Sequence, residues 1–481
     1  MIIEFRELYQ NSPVWLQRRV SLVPFSYRFG RAYRRTLRFL RESDGWSQEQ
    51  YREYQRSQLA ALLAHAITTV PYYQRYRRLL DRDPLTALRD IEPITKREIQ
   101  ENLDRFVVSN HSLRKHHLTY TGGSSGTPLI IHLDNDAVER EWAFMIAQWS
   151  RVGYRPGDKC VTFRGSDLLR KNNSAIVSNP VYNEIICSPF RLSDDHLSKY
   201  VELIKKVRPS FLRGYPSVLT VLARFVEEKR ITDLPTLTAL LCGSEEIVPT
   251  QREYLERVFG ARVYSWYGMS EKVVLAGECE GSNSYHCFPQ YGITEIADES
   301  GNVSSQVGAT GEIVGTGFLN RVMPFIRYRL DDHATISADH CTACGRQHLL
   351  LSDVRGHRIQ DSIIGRSGSR ISMTAINVHD DSFRGVRQFQ FHQRRSGQVS
   401  LYLRVGTDFN DERRQLILRR LTAQTGDDVD YQIQIVDHIE QTGLGKGIYL
   451  RQELTGSEAY GTAGGMPVYQ KESEDERTGM G

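Results

Sequence analysis

The sequence predicts an α/β protein: a large N-terminal domain with a parallel-sheet core and a β-hairpin subdomain, then a small α+β domain at the C-terminal end. Three observations carry this expectation. Between residues 161 and 264, short apolar runs alternate with stretches of helical spacing: strands over 161–163, 211–212, 239–242 and 263–264, helices over 197–207, 216–228 and 249–259. Such alternation implies crossover connections and parallel strands. Beyond Gly281 the pattern changes to hairpins, with strands over 291–296 and 311–314 separated by the turn residues Asp298 to Asn302. A last alternating unit has strands over 388–392, 399–404 and 431–436 and a helix over 411–421. With 481 residues the chain is too long for one ordinary core, and 40% hydrophobic residues suffice to fill two or three.

Taken in order, residues 1–45 form a basic helical extension. Residues 1–41 hold nine arginines against Glu4 and Glu7, interleaved with Trp15, Phe25, Tyr27, Phe29, Tyr33 and Phe39. The favoured reading is a helical layer on the main domain; the alternative is peripheral contact with an anionic membrane surface. Residues 46–360 form the core domain. It opens with Ser47 as a helix cap and Gln50 in the capping-box position, and Val70-Pro71 stops that helix. Thr95 caps another, and residues 136–151 have helical spacing with Trp142, Phe144, Met145 and Trp149 as apolar bulk. Residues 361–454 form the small domain. The Gly-, Ser- and Glu-rich tail from Thr455 has no apolar period and is expected to be disordered.

A net charge of +4 is too small to imply nucleic acid as a partner. No apolar run approaches the roughly 20 residues of a membrane helix, and no signal peptide is legible, so a cytoplasmic location is the default. Seven cysteines scattered over a long chain argue against a disulfide framework.

The most informative stretch is 119–129, with three glycines and five Ser or Thr hydroxyls. Gly122, Gly123 and Gly126 let backbone amides converge on an anion, and Ser124, Ser125 and Thr127 add hydroxyl donors beside Thr121. It is not a Walker loop, because Thr127-Pro128 stands where a lysine should follow the last glycine. Gly/Ser runs are also the composition of plain surface turns. Gly243-Ser244-Glu245 follows a predicted strand, at the carboxyl end where open α/β sheets bind ligands. Tyr267-Gly268-Met269-Ser270-Glu271 ends the next strand and offers an aromatic face, a hydroxyl for a phosphate and a carboxylate for Mg²⁺. Asp332 can accept both hydroxyls of a ribose, and Lys446 stands in a glycine loop.

In these motifs and their order the chain resembles the adenylate-forming ligases, within them the phenylacetate-CoA ligase-like branch that includes proteins of capsular polysaccharide gene clusters. The resemblance runs from Trp46 to about Gln452. It implies that the 121–128 loop binds the β- and γ-phosphates of ATP, that Gly243, Ser244 and Glu245 line the adenine, and that Tyr267 stacks on it. It implies Glu271 as the Mg²⁺ ligand, with Ser270 beside it, and Asp332 for the ribose with Arg358 assisting. Lys446 matches the lysine that contacts the reacting carboxylate and α-phosphate. Asp361 matches the hinge about which the C-terminal domain rotates. The chain departs from the family pattern at Thr127, where many relatives have lysine, at Asp331, where glycine is usual, and at His357, inserted between Gly356 and Arg358.

Cys341-Thr-Ala-Cys344 has the spacing of a zinc knuckle, and Cys279 and His286 stand upstream as two more ligands. Four ligands would close a structural Zn²⁺ site, with Cys287 as the alternative fourth. For the acyl pocket, Tyr215, Trp266 and Met269 suit a flat acid, whereas Arg164 and Arg213 would suit a second carboxylate or a sugar acid. The function expected is ATP-dependent activation of a small carboxylic acid as acyl-AMP, with transfer to CoA or to an amine or hydroxyl, in a setting such as cell-surface polysaccharide biosynthesis. The competing reading is a non-catalytic, zinc-stabilised nucleotide-binding scaffold descended from such ligases.

Overall fold

The computed structural model describes residues 19, 23, 25–109, 116–121, 129–165, 169, 174–245, 247, 249–355, 362–373, 376, 381–383, 386–405, 409–437, 439 and 450–454. The phosphate-loop residues 122–128, Arg358, Asp361, Lys446 and the tail from Thr455 lie outside them.

One sheet of 13 strands organises the large domain. Its parallel block runs Glu184–Cys187, Cys160–Phe163, Phe211–Gly214, Ala239–Gly243, Arg262–Gly268 in spatial order. Cys160–Phe163, Phe211–Gly214 and Ala239–Gly243 are buried throughout, which explains why apolar residues dominate them, with Thr162 and Arg213 as the polar exceptions. On one face, Val161, Phe163, Leu212, Leu240 and Val263 join a core with residues of the helices Asp194–Val207, Pro216–Glu228 and Pro249–Phe259. On the other, Cys160, Phe211, Leu241 and Tyr264 pack with residues of the helices Asn135–Ser150 and Arg31–Ser43. The helix Arg31–Ser43 turns Tyr33, Leu37 and Leu40 inward. No helix among the described residues is long and apolar enough to cross a membrane.

The hairpin region does not form a sheet of its own. Leu275–Gly277 pairs antiparallel with Arg262–Gly268, and Tyr285–Cys287, Leu350–Arg355, Tyr328–Ala338, Thr310–Gly317 and Gly292–Ala297 continue the same sheet outward. On the far side, Ile176–Asn179 adds an antiparallel edge to Glu184–Cys187; neither strand was foreseen. The expected caps are present: Ser47 and Gln50 form a capping box, and Thr95 accepts from the Glu98 N–H.

The C-terminal sheet pairs Val386–Arg395 antiparallel with Gln398–Val405 and adds Asp430–Ile435 and Leu450–Gln452 in parallel. The helix Asp411–Thr425 covers it, with Ile417 and Leu421 in the core. Phe190 and Tyr215 of the large domain pack into that same core, so the small domain sits against the parallel end of the large sheet.

Candidate functional site

At the carboxyl edge, Gly243 lies opposite Trp266 in the parallel register. A Cβ on Gly243 would come within 2.4 Å of the Trp266 ring, so only glycine lets the indole lie against this backbone. Ser244 follows at φ +67°, turning the chain out of the strand toward Glu245. Gly268 ends the next strand, with Ser270 in the turn that follows.

One strand along, the Tyr267 hydroxyl donates to Asp332 Oδ2 at 2.7 Å. Burial, with the Asp332 carboxylate beside it, raises that phenol well above its ordinary pKa. Glu271 is buried and accepts from the Tyr328 hydroxyl at 3.2 Å. Burial pushes its carboxyl up; Lys96, on the helix Lys96–Glu101, acts in the opposite sense. The structure thus brings Tyr267, Glu271 and Asp332 together, and it adds Lys96, which sequence reasoning missed. The only local signal was a lysine following the Thr95 cap. Asp331 has φ +59°, a left-handed conformation that accounts for a glycine being usual there and that Asp tolerates better than most residues.

Thr121 closes the base of the glycine loop. Its N–H donates to Leu129 O at 3.0 Å, and its hydroxyl accepts from the Leu129 N–H at 3.1 Å. The loop therefore joins the antiparallel strands His116–Tyr120 and Ile130–Asp134.

Cys279, His286, Cys341 and Cys344 place their donor atoms within 4.8 Å of one another. Cys279 and Cys341 sulfurs are 4.0 Å apart, close to the ~3.8 Å edge of a tetrahedron built on Zn–S bonds of about 2.3 Å. His286 is fully buried, and neither ring nitrogen has a hydrogen-bond partner among the described residues. Burial, with Arg151 and Arg346 nearby, lowers its pKa to about 3, so the ring is neutral with a lone pair to give. Three thiols and this imidazole fit a closed structural zinc site. The knuckle turn is held by Gly345 at φ +76°, and Arg346 anchors it to Asp44 at 2.9 Å and Glu280 at 2.8 Å. Cys287 is not the fourth ligand: it packs with Val273 and Val274 in the main core. Strand alternation is the reason, since adjacent residues of Tyr285–Cys287 face opposite sides.

The acyl-pocket residues divide among three environments. Trp266 packs with Trp149 at 5.5 Å, Met269 lies against the core around Val274, and Tyr215 meets the C-terminal domain. They do not form one aromatic wall. Arg164 and Arg213 are not free cations either, because both donate to Glu184, on a strand the sequence had not revealed.

Residues 116–320 match the model of the AMP-binding enzyme family, and residues 363–452 match the CapK C-terminal domain. The chain is similar to protein CapK of Staphylococcus aureus, 22% identical over 373 residues covering 75% of this chain and 79% of that protein. It is similar to phenylacetate-coenzyme A ligase of Pseudomonas putida, 25% identical over 420 residues covering 82% of this chain and 90% of that protein. Among solved structures, 2-hydroxyisobutyryl-CoA ligase in complex with 2-HIB-AMP and CoA matches with a TM-score of 0.56 at 20% identity, over 85% of this chain and 91% of that chain, a likeness of fold. Residues 116–320 thus form an AMP-binding enzyme domain and residues 363–452 a CapK C-terminal domain, and together with the relatives they support the adenylate-forming ligase superfamily, phenylacetate-CoA ligase-like branch with the CapK relatives.

Proposed function

We propose that the protein activates a small carboxylic acid with ATP and then transfers the acyl group to CoA or to an amine or hydroxyl acceptor. In the first step a carboxylate oxygen bonds to the α-phosphorus of ATP, and the bond from that phosphorus to the bridging oxygen breaks. Pyrophosphate leaves and acyl-AMP remains. In the second, the acceptor's thiolate, amine or hydroxyl attacks the acyl carbon and AMP departs. The observation that carries this reading is the pair of carboxylates at the sheet edge, buried Glu271 and part-buried Asp332, each hydrogen-bonded to a tyrosine hydroxyl.

In this reading Gly243, Ser244, Glu245 and Tyr267 receive the adenine, and Asp332 accepts from the ribose with Arg358 assisting. The 121–128 loop holds the phosphates. Glu271 suits Mg²⁺, since it is buried and accepts from the neutral Tyr328 hydroxyl. When bound there, the ion would neutralise phosphate charge. Lys446 contacts the reacting oxygens, and rotation about Asp361 withdraws it to admit the acceptor. Cys279, His286, Cys341 and Cys344 hold Zn²⁺ as a structural clamp between neighbouring strands. The exposed Arg31, Arg35 and Arg38 give the N-terminal helix a cationic outer face suited to peripheral membrane contact. An amine or hydroxyl acceptor includes that of a sugar, in keeping with the likeness to protein CapK.

The test is ATP-dependent pyrophosphate release against aryl, fatty, amino and sugar acids, each with and without CoA. Release with one acid class is expected, abolished in Lys446→Ala while ATP binding survives. Silence with every acid refutes the reading. Freshly purified protein should hold about one zinc per chain, less in Cys344→Ser.

A further inference from the structure

A second charged cluster is built around Glu184, the first residue of the strand Glu184–Cys187, toward which the Arg164 side chain reaches back from the carboxyl end of Cys160–Phe163. Glu184, whose side chain is 1% exposed, accepts from Arg164 Nη2 at 2.9 Å, Thr162 Oγ1 at 3.0 Å and Asn179 Nδ2 at 2.8 Å, and also from Arg213 Nη2. Two guanidiniums meet one carboxylate. Besides Glu184, the groups acting most strongly on Arg213 are Cys160, Tyr154 and Tyr182, none of them a carboxylate.

The two arginines are held differently. Arg213 is buried and lies over the Trp149 ring at 5.2 Å, committed to the interior. Arg164 keeps 38% of its side chain exposed, and its Nε–H is buried with no hydrogen-bond partner among the described residues. A buried N–H on a cation is costly to leave unmet, and an oxygen supplied by a ligand would meet it.

Register places Arg164 relative to the nucleotide end. Phe163 pairs with Gly214, Gly214 with Cys242, and Cys242 with Ser265. The residues one step beyond, Arg164, Tyr215, Gly243 and Trp266, therefore stand in a row along the carboxyl edge. Trp266 adjoins Tyr267 of the nucleotide cluster, and Arg164 stands three strand spacings away, about 14 Å. An acid whose reacting carboxylate faces the nucleotide end and whose body follows this row presents its far end to Arg164.

We infer that Arg164 binds a second carboxylate on the acyl substrate, so that the acid activated is a dicarboxylic acid and not a plain aryl or alkyl acid. This rests on the ligase reading above. It makes Arg164 a specificity residue and Glu184 the group that positions it.

The experiment measures pyrophosphate release by the full chain with matched pairs differing only at the far end: hexanoate against adipate, and phenylacetate against 4-carboxyphenylacetate. The wild type is expected to favour the diacid of at least one pair by about tenfold or more in kcat/KM, the size of one charge-assisted hydrogen bond. Arg164→Met loses that preference through the diacid alone, and Arg164→Lys restores part of it. Turnover of the monoacid equal to or above the diacid in both pairs overturns the inference. So does an equal loss on both members in Arg164→Met, the mark of a purely structural role through Glu184. Absence of pyrophosphate release with every acid class, although ATP binds, refutes the ligase reading, and this inference falls with it.

Discussion

Glu184 and Glu271 are both buried carboxylates of the large domain, and they differ in what surrounds them. At Glu184, burial alone would raise the carboxyl, but Arg164 and Arg213, with Thr162 and Asn179, bring it down to about 2. At Glu271 the hydrogen-bond donor is a phenol, and burial prevails over Lys96, leaving the carboxyl above its ordinary value. The protein has answered the first charge with its own cations. It has buried the second with far less compensation, which is the arrangement expected of a group whose partner arrives with the ligand. Both side chains are buried; the donor set is what differs between them.

The sharpest way to break this contrast is to neutralise each carboxylate. Glu184→Gln leaves two guanidiniums without their anion and should cost about 3–5 kcal/mol in urea denaturation. Acid should act on the same group. Its folded-state pKa of about 2 lies below the reference 4.5, so its contribution is present in full above the unfolded value and is lost as pH falls through about 2. The stability difference between wild type and Glu184→Gln should therefore shrink between those two pH values by about 3 kcal/mol. A difference that does not change with pH would mean that Glu184 is already protonated in the folded protein.

Much of the architecture was legible because it is written in local periods. Fully buried parallel strands read as apolar runs, and Ser47, Gln50 and Thr95 announce their helices directly. What failed was non-local. Glu184–Cys187 starts with a carboxylate whose partners, Arg164 and Arg213, lie 20 and 29 residues away, and no spacing rule links them. The continuity of the hairpins with the parallel block depends on Leu275–Gly277 turning back on Arg262–Gly268, a pairing set by tertiary packing. At the site, Tyr267, Glu271, Asp332 and the cluster of Cys279, His286, Cys341 and Cys344 could be singled out because their chemistry is scarce and their order distinctive. Lys96 was not, since a lysine at a helix start is ordinary. Asp331 read as a departure from the usual glycine, and its φ of +59° is a conformation that glycine adopts without strain.

The opposite substitution tests the functional side of the contrast. Glu271→Gln removes a charge that burial already opposes, so folding stability should change by less than about 1 kcal/mol, with the sign toward stabilisation at neutral pH. Pyrophosphate release should fall about a hundredfold or more, and excess Mg²⁺ should restore only part of it. A large loss of stability with activity retained would move Glu271 into the class of Glu184. The smallest effect belongs to Tyr267→Phe, which keeps the aromatic face and removes the hydroxyl that donates to Asp332 at 2.7 Å. A neutral donor to a charged acceptor contributes about 1.5–3 kcal/mol when nothing replaces it, but bound ribose would offer Asp332 hydroxyls of its own. The variant should therefore lose about 1–2 kcal/mol of stability without ATP and recover most of that at saturating ATP, read as a steeper ligand-induced rise in Tm than the wild type shows. Equal rises in the two proteins would mean that nucleotide does not take over Asp332, and the ribose role would have to pass to another acceptor at this edge.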